Sequence, residues 1–315
     1  MKKWIRFGIS GILFGGIIGT ITSCNEKSIV NTTDIAMKKE VMATAPSKQL
    51  SKEFKDYWYS GNAEITSYKL EQARYGEIRE GHSVLIYVTE TFAADKQVKA
   101  NQNNPSNIPV LKLNSVKKYL TGIYPYSIMT SSYYPVQDNS HALKITFNAQ
   151  EWCGQVYTQL NNREKFEINS FSYFENEADK YMEMTKNVLE NELWNKIRIN
   201  PSGLPIGKVK MIPSFEYIRM SHKELKEYDA IISLSENSDL KTYKIFYPEL
   251  ERTLEINFSP TFPYTIQSWT DTFKSGFGDD AKTMTSKASK MKTLKSPYWK
   301  QSGNNSLYLR DSLGL

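Results

Sequence analysis

The segment Ala149-Gln150-Glu151-Trp152-Cys153-Gly154-Gln155 holds the densest cluster of side chains able to do chemistry. A carboxylate next to an indole suits the mouth of an apolar cleft, where burial disfavours the charged form and raises the pKa of Glu151. Gly154 suits a bulge that aims Trp152 into such a cleft. The same residues also suit a core Trp at a sheet bend with its Glu left in water. A second concentration is Tyr124-Pro125-Tyr126 with Tyr133-Tyr134-Pro135. Tyr joins a broad apolar ring to a polar hydroxyl, which suits sugar or amphiphile recognition on loops and suits packing onto a sheet edge equally. Glu151, Trp152, Tyr124 and Tyr126 are therefore the candidate ligand cleft.

No reaction is named by local sequence. There is no Gly-x-Ser-x-Gly elbow, no Walker A loop, no His-Glu-x-x-His and no Gly-x-Gly-x-x-Gly after a strand. His82, which follows Glu80-Gly81 read as a turn, His141 and His222 are isolated from one another, so they read as solvated or structurally bonded. No catalytic residue, metal ligand or cofactor is assigned. With Cys24 set aside, Cys153 is the only remaining thiol, cannot close an intramolecular disulfide, and reads as a small buried hydrophobe.

Cys24 is set aside because of what precedes it. Lys2, Lys3 and Arg6 lead into an apolar run from Ile9 to Ile21 that stops at Ile21-Thr22-Ser23-Cys24. About 13 residues would span only ~20 Å as a helix, short of the ~30 Å hydrocarbon core. A basic head, apolar middle and small-residue boundary are the parts of an export signal. The stretch resembles the signal peptide and lipobox of a bacterial lipoprotein, which implies cleavage of residues 1–23, acylation of Cys24 and anchorage to a membrane. Asn25 stands where Asp would retain such a protein at the inner membrane, so the resemblance implies the outer membrane, with the domain in the periplasm or at the surface.

Removing residues 1–23 takes away three basic side chains and no acid, so the charge falls from +6 to +3. The remaining excess sits in Lys282, Lys287, Lys290, Lys292, Lys295 and Lys300. Apart from Tyr298 and Trp299 before Lys300, those lysines lack interleaved aromatic residues, so nucleic acid is not an expected partner. Residues 281–315 read as a basic C-terminal segment, a solvated amphipathic helix or tail, with anionic headgroups or cell-wall polymer as its alternative contact.

Residues 24–52 have no aromatic side chain and little apolar periodicity, which reads as a disordered tether. Folded sequence opens near Phe54 and runs as a β-rich domain over 53–280. Strand patterns cover Glu64–Leu70, Val84–Phe92, Leu143–Phe147, Val156–Leu160, Phe166–Phe174, Lys208–Phe215, Ile231–Leu234, Tyr243–Tyr247, Leu254–Phe258 and Tyr264–Phe273. Asn161-Asn162-Arg163 and Pro248-Glu249-Leu250-Glu251 read as hairpin corners. Tyr181, Met184, Val188, Leu189, Leu193 and Ile197 recur at helical steps, predicting one main amphipathic helix over 179–198.

Many strands without βαβ alternation make this an α+β chain: a predominantly antiparallel, curved sheet, a meander or half-open barrel, embracing that helix. Such an architecture resembles lipoprotein carriers and other envelope proteins at the level of fold. The segments Tyr57-Trp58-Tyr59-Ser60-Gly61-Asn62-Ala63-Glu64, Gly122-Ile123-Tyr124-Pro125-Tyr126-Ser127-Ile128-Met129, Glu151-Trp152-Cys153-Gly154 and Leu309-Arg310-Asp311-Ser312-Leu313 resemble a Bacteroidetes-type family of uncharacterised envelope lipoproteins. Members of that family often carry the label "septum formation inhibitor Maf". The residues argue against the label, since Maf proteins carry a Ser-x-Ser-x-Arg motif near the N-terminus and this chain has none. Composition and resemblance together imply a noncatalytic protein that binds an amphiphile, a glycan or an envelope protein. A structural subunit of an envelope complex and a periplasmic hydrolase using Glu151 are the alternatives.

Overall fold

The structure is a computed structural model that describes residues 50–237 and 239–315. The leader, Cys24 and nearly all of the tether lie outside the described residues. Chain order is α1 (Lys52–Trp58), β1 (Ala63–Arg74), β2 (Glu77–Ala93), β3 (Val98–Lys99), β4 (Ile108–Thr121), β5 (Tyr124–Pro135), β6 (Lys144–Glu151), β7 (Gly154–Asn162), β8 (Phe166–Ser172), β9 (Lys180–Met184), β10 (Val188–Leu189), α2 (Glu190–Ile199), β11 (Gly207–Ile212), α3 (Phe215–Met220), β12 (Tyr228–Glu236), β13 (Lys241–Tyr247), β14 (Arg252–Phe258), β15 (Ile266–Ser275), β16 (Lys282–Ser296) and α4 (Tyr308–Leu313). No described helix is long and apolar enough to cross a membrane.

All strands belong to one curved sheet, antiparallel throughout except for the β10–β11 pair. Its order is β10-β11-β12-β13-β14-β15-β16-β1-β2-β4-β5-β6-β7-β8-β9, with β3 pairing on β2. The expected half-open antiparallel sheet is what the chain forms. Its two edges, β9 and β10, are neighbours in sequence, joined only by residues 185–187. Such a link spans at most ~14 Å when extended. The sheet therefore bends almost round to meet itself and leaves a seam between β9 and β10.

Alternation along each strand puts successive side chains on opposite faces. Inward positions such as Tyr68, Leu70, Leu85, Tyr87, Leu111, Leu113, Ile145 and Phe147 form the core. Outside, α4 lays Leu313 over Ala63, Ile65, Val84 and Val88. Gly81 lets the backbones of β2 and β4 approach closely, because a Cβ there would lie 2.2 Å from the Lys118 carbonyl oxygen. Gly81 sits inside β2, so Glu80-Gly81 is no turn, and His82 lies within a strand. The turn is Tyr75-Gly76, with φ of 55° and 74°, the double left-handed geometry of a tight hairpin.

Two expected elements are corrected. The helix over 179–198 exists only from Glu190 to Ile199; its first half is β9 and β10. In that half Tyr181 is 69% exposed while Met182 and Met184 pack on the core, an alternation of two rather than a helical step. Residues 281–315 are not a solvated tail. Lys282–Ser296 is β16, an interior strand between β15 and β1. Met284 packs on the core and Ser286 and Ala288 are buried, while Thr285 and Lys287 face water. The tether boundary also shifts, since Ser51 caps α1 by accepting from the Phe54 N–H at 3.1 Å.

The helix α2 occupies the concave side. Leu193 and Ile197, four apart, are fully buried. The polar residues of α2 are buried too, and strands hold them. Arg198 grips Glu64 of β1 with two bonds of 2.7 and 2.8 Å. Asn195 donates to the Leu111 carbonyl at 2.7 Å. Glu192 accepts from the Ala142 N–H at 2.8 Å and lies 3.0 Å from His141 Nδ1. Acids in its first turn and Lys196 and Arg198 in its last also suit the helix dipole.

Candidate functional site

The four residues of the expected cleft are brought near one another without enclosing a cavity. Glu151 ends β6, and Trp152-Cys153 form the two-residue turn into β7, with Glu151 paired to Gly154. Trp152 is 69% exposed, so it is no core Trp at a bend. Gly154 makes no bulge; its bare Cα lets the Tyr173 ring approach, where a Cβ would meet that ring at 2.9 Å. Cys153 is exposed, not buried, and Glu151 accepts its N–H at 2.6 Å. Bonding to Glu151 also raises the Cys153 pKa, which disfavours a reactive thiolate. Tyr124 and Tyr126 open β5 rather than a loop. Trp152, Tyr124 and Tyr126 form a ladder with ring centroids 6.3 and 5.9 Å apart. Its inner rung is structural: Tyr126 stacks on Tyr119 at 5.1 Å, bonds Tyr75 at 2.8 Å and receives an Arg74 N–H at 3.1 Å.

Two other places carry site-like geometry, on opposite sides of α3. The first is a hollow of about 80 Å³ between the sheet and α2. Its sheet wall includes Gln72, Ser115, Thr130, Ser132 and Ser286 at inward positions where Leu or Phe would fill the space. At ~30 Å³ per water it has room for about two or three. Gln72 Oε1, Thr130 Oγ1 and Ser132 Oγ are buried there without a protein partner.

Charges in the hollow are tied to one another. Arg252 bonds Glu190 at 2.6 and 2.8 Å and Asp271 at 2.8 and 2.9 Å, with its guanidinium 4.0 Å from the Tyr217 ring centroid. Tyr247 donates to Glu190 at 2.7 Å. Burial works to raise the Glu190 pKa, but the Arg252 charge and these bonds hold it below the usual carboxylate value. For Asp271 burial wins, helped by repulsion from Glu190, and its pKa is raised despite Arg252. A second pair, Lys117 with Glu216 at 2.7 Å, ties β4 to α3.

The second place is an open groove of about 650 Å³ beside the seam, between α3, the residues after it and the inner face of β7 to β9. Its apolar lining is Val156, Met182, Phe215, Ile218, Leu225 and the exposed Phe277, interrupted by Thr158 and Ser170, whose hydroxyls bond each other at 2.8 Å. Its rim is charged, with Lys180, Arg219, His222 and Lys223 against Glu177 and Glu224. α3 is the partition. Tyr217 and Met220 line the hollow, whereas Phe215, Ile218 and Arg219 line the groove. Ser214 caps α3 by accepting the Tyr217 N–H at 3.2 Å, and Arg74 binds the Met220 carbonyl at 2.6 Å.

The sequence reading missed both places. Only Ser286 carries a faint signal, standing two positions from Met284 and from Ala288; Ser115 and Ser132 have Lys117 and Thr130 two along. The groove has no local signal, because Glu177 and His222 meet from 45 positions apart.

No family model and no curated protein matches the chain. Among solved structures, the chain is similar to a crystal structure of a β-barrel-like protein of the domain of unknown function DUF1849 from Brucella abortus. The two share 8% identity at a TM-score of 0.43, covering 74% of this chain and 98% of that one.

Proposed function

We propose that this chain is a lipid-anchored envelope protein that binds an amphiphile in the seam groove without transforming it. One observation carries the reading: an open groove of about 650 Å³ has an apolar floor under a charged rim. That arrangement matches the two ends of an amphiphile, and the volume falls in the usual range for small-molecule sites, ~300–1,000 Å³. The hollow's charges satisfy one another, which favours holding a ligand over attacking one. The anchor rests on Ile21-Thr22-Ser23-Cys24, and placement at the outer membrane on Asn25.

Lipid extraction and mass spectrometry of the full chain purified in native membrane patches test the binding. A retained amphiphile that a Met182→Trp variant no longer enriches supports it. Equal lipid content in both proteins overturns it. The anchor has its own test, since the mature protein should begin with an acylated Cys24, and an intact Met1 terminus would refute that. A second reading, a small hydroxylated ligand in the hollow, is favoured by the unpaired oxygens of Gln72, Thr130 and Ser132. A cavity of about 80 Å³ restricts such a ligand to a few heavy atoms.

A further inference from the structure

Glu177 lies in the loop between β8 and β9, on one side of the seam; Arg219 and His222 stand on the other, at the end of α3. The Glu177 carboxylate accepts from Ser172 Oγ at 2.7 Å and lies 3.1 Å from His222 Nδ1 and 3.1 Å from Arg219 Nε. Arg219 Nε is close but poorly aligned, and makes no hydrogen bond there. Arg219 Nη1, which can only donate, also lies 3.4 Å from His222 Nδ1, so Nδ1 accepts from Arg219 when bare and donates to Glu177 when it carries a proton. Burial acts to raise the Glu177 pKa, yet the bonds from His222 and Ser172 and the Arg219 charge leave it lowered. These groups form a carboxylate cradle at the rim of the groove.

Both flanks of the contact are held in left-handed backbone, Ala178 at φ 48° and His222 at φ 50°. Lys180 and Lys223 on the same rim make no ion pair with any described residue and leave positive charge beside the cradle.

We infer that the groove takes a single-chain amphiphile with a carboxylate head, and that Glu177 is an internal stand-in which this head displaces from Arg219, His222 and Ser172. The chain lies on Val156, Met182, Ile218 and Phe277, and the head takes the two oxygen positions of Glu177. The inference rests on the groove being the binding site, so its test must separate the two.

The full-length protein in isolated membranes is photolabelled with a fatty acid carrying a diazirine on its chain, and in parallel with the methyl ester of that acid. Labelled peptides are mapped by mass spectrometry. The acid should label groove residues more than the ester does. In Glu177→Gln the acid label should rise about threefold or more at subsaturating probe, because an internal competitor no longer limits the competent fraction. Arg219→Gln should abolish the preference for the acid, and Glu177→Asp should fall between wild type and Glu177→Gln. Thermal unfolding of each variant confirms that a folded protein is being labelled. Equal labelling by acid and ester, unchanged in Glu177→Gln, refutes the carboxylate head and leaves the groove reading intact. No groove label from either probe refutes both.

Discussion

The two sides of α3 use the same side-chain chemistry under different degrees of saturation. Inside, Arg252 is buried with every guanidinium nitrogen engaged by Glu190 or Asp271. Outside, Arg219 faces a groove, with an Nε contact to Glu177 that is close but misaligned. The inner network has spent its bonding capacity on the fold, and the outer one retains some for a ligand. Arginine–carboxylate geometry alone therefore does not distinguish the two places; completeness of pairing does.

Truncating each arginine separates the two networks most strongly. Arg252→Ala strands the buried Glu190 and its partner Asp271 and should cost about 3–5 kcal/mol, whereas Arg219→Ala, which loses a misaligned ionic contact and its packing on Phe174, should cost about 1–2 kcal/mol. Denaturant unfolding measures both. Similar losses would mean that the groove network is as structural as the hollow.

The helix that roofs the hollow supplies the next contrast. Leu193 is fully buried on α2, so Leu193→Ala should destabilise by about 2–5 kcal/mol. Lys186 belongs to the exposed link between β9 and β10, and Lys186→Ala should stay within about 0.5 kcal/mol. Equal and negligible losses would show that α2 is peripheral and the concavity open.

Much of this scaffold was legible because burial on one face writes a period into the sequence. The strands β6, β13 and β14 alternate cleanly, and the corner after β13 carries turn residues; the expected corner at Asn161-Asn162-Arg163 falls early, since Asn161 and Asn162 still pair with Glu167 and Phe166 and the turn is Arg163-Glu164-Lys165. Leu189, Leu193 and Ile197 marked α2. The reading failed where two periods compete: Tyr181, Met184 and Val188 fit a helix as well as they fit an edge strand followed by a link. It failed again at β16, where the outward lysines hid the alternation of Met284, Ser286 and Ala288. Pairing partners far along the chain, not local propensity, decide both cases. The hollow and the seam are tertiary products, and an inward Ser132 is indistinguishable in sequence from a surface serine. Trp152 and Glu151 stood out by composition, and the fold spends them on a hairpin tip.

The two carboxylates around Arg252 respond to pH with opposite signs. Glu190 has a lowered folded pKa, so its contribution is present above the ordinary value of 4.5 and is lost as pH falls through the folded value. Asp271 has a raised folded pKa, so its contribution is present below the ordinary value of 3.8 and is lost as pH rises through the folded value. Relative to wild type, Asp271→Asn should gain stability as pH climbs from 3.8. Glu190→Gln should lose relative stability as pH climbs toward 4.5. Melting temperatures of the three proteins across this range check the signs, and slopes of the same sign would mean that the two carboxylates titrate as one group.

The smallest effect belongs to the hairpin tip. Trp152 is 69% exposed and leans on Tyr124 at 6.3 Å, with no part in either wall of α3. Trp152→Ala should therefore change stability by about 0.5 kcal/mol or less, and should leave fatty-acid labelling of the groove unchanged. The control matters because the Trp152, Tyr124 and Tyr126 ladder connects the exposed tip to Arg74, and Arg74 holds the C-terminal carbonyl of α3. If the tip altered labelling without altering stability, the ladder would couple to the position of α3, and the aromatic cluster would belong to the binding machinery through the helix it braces. An unchanged label confines binding to the seam, where polar groups remain incompletely paired.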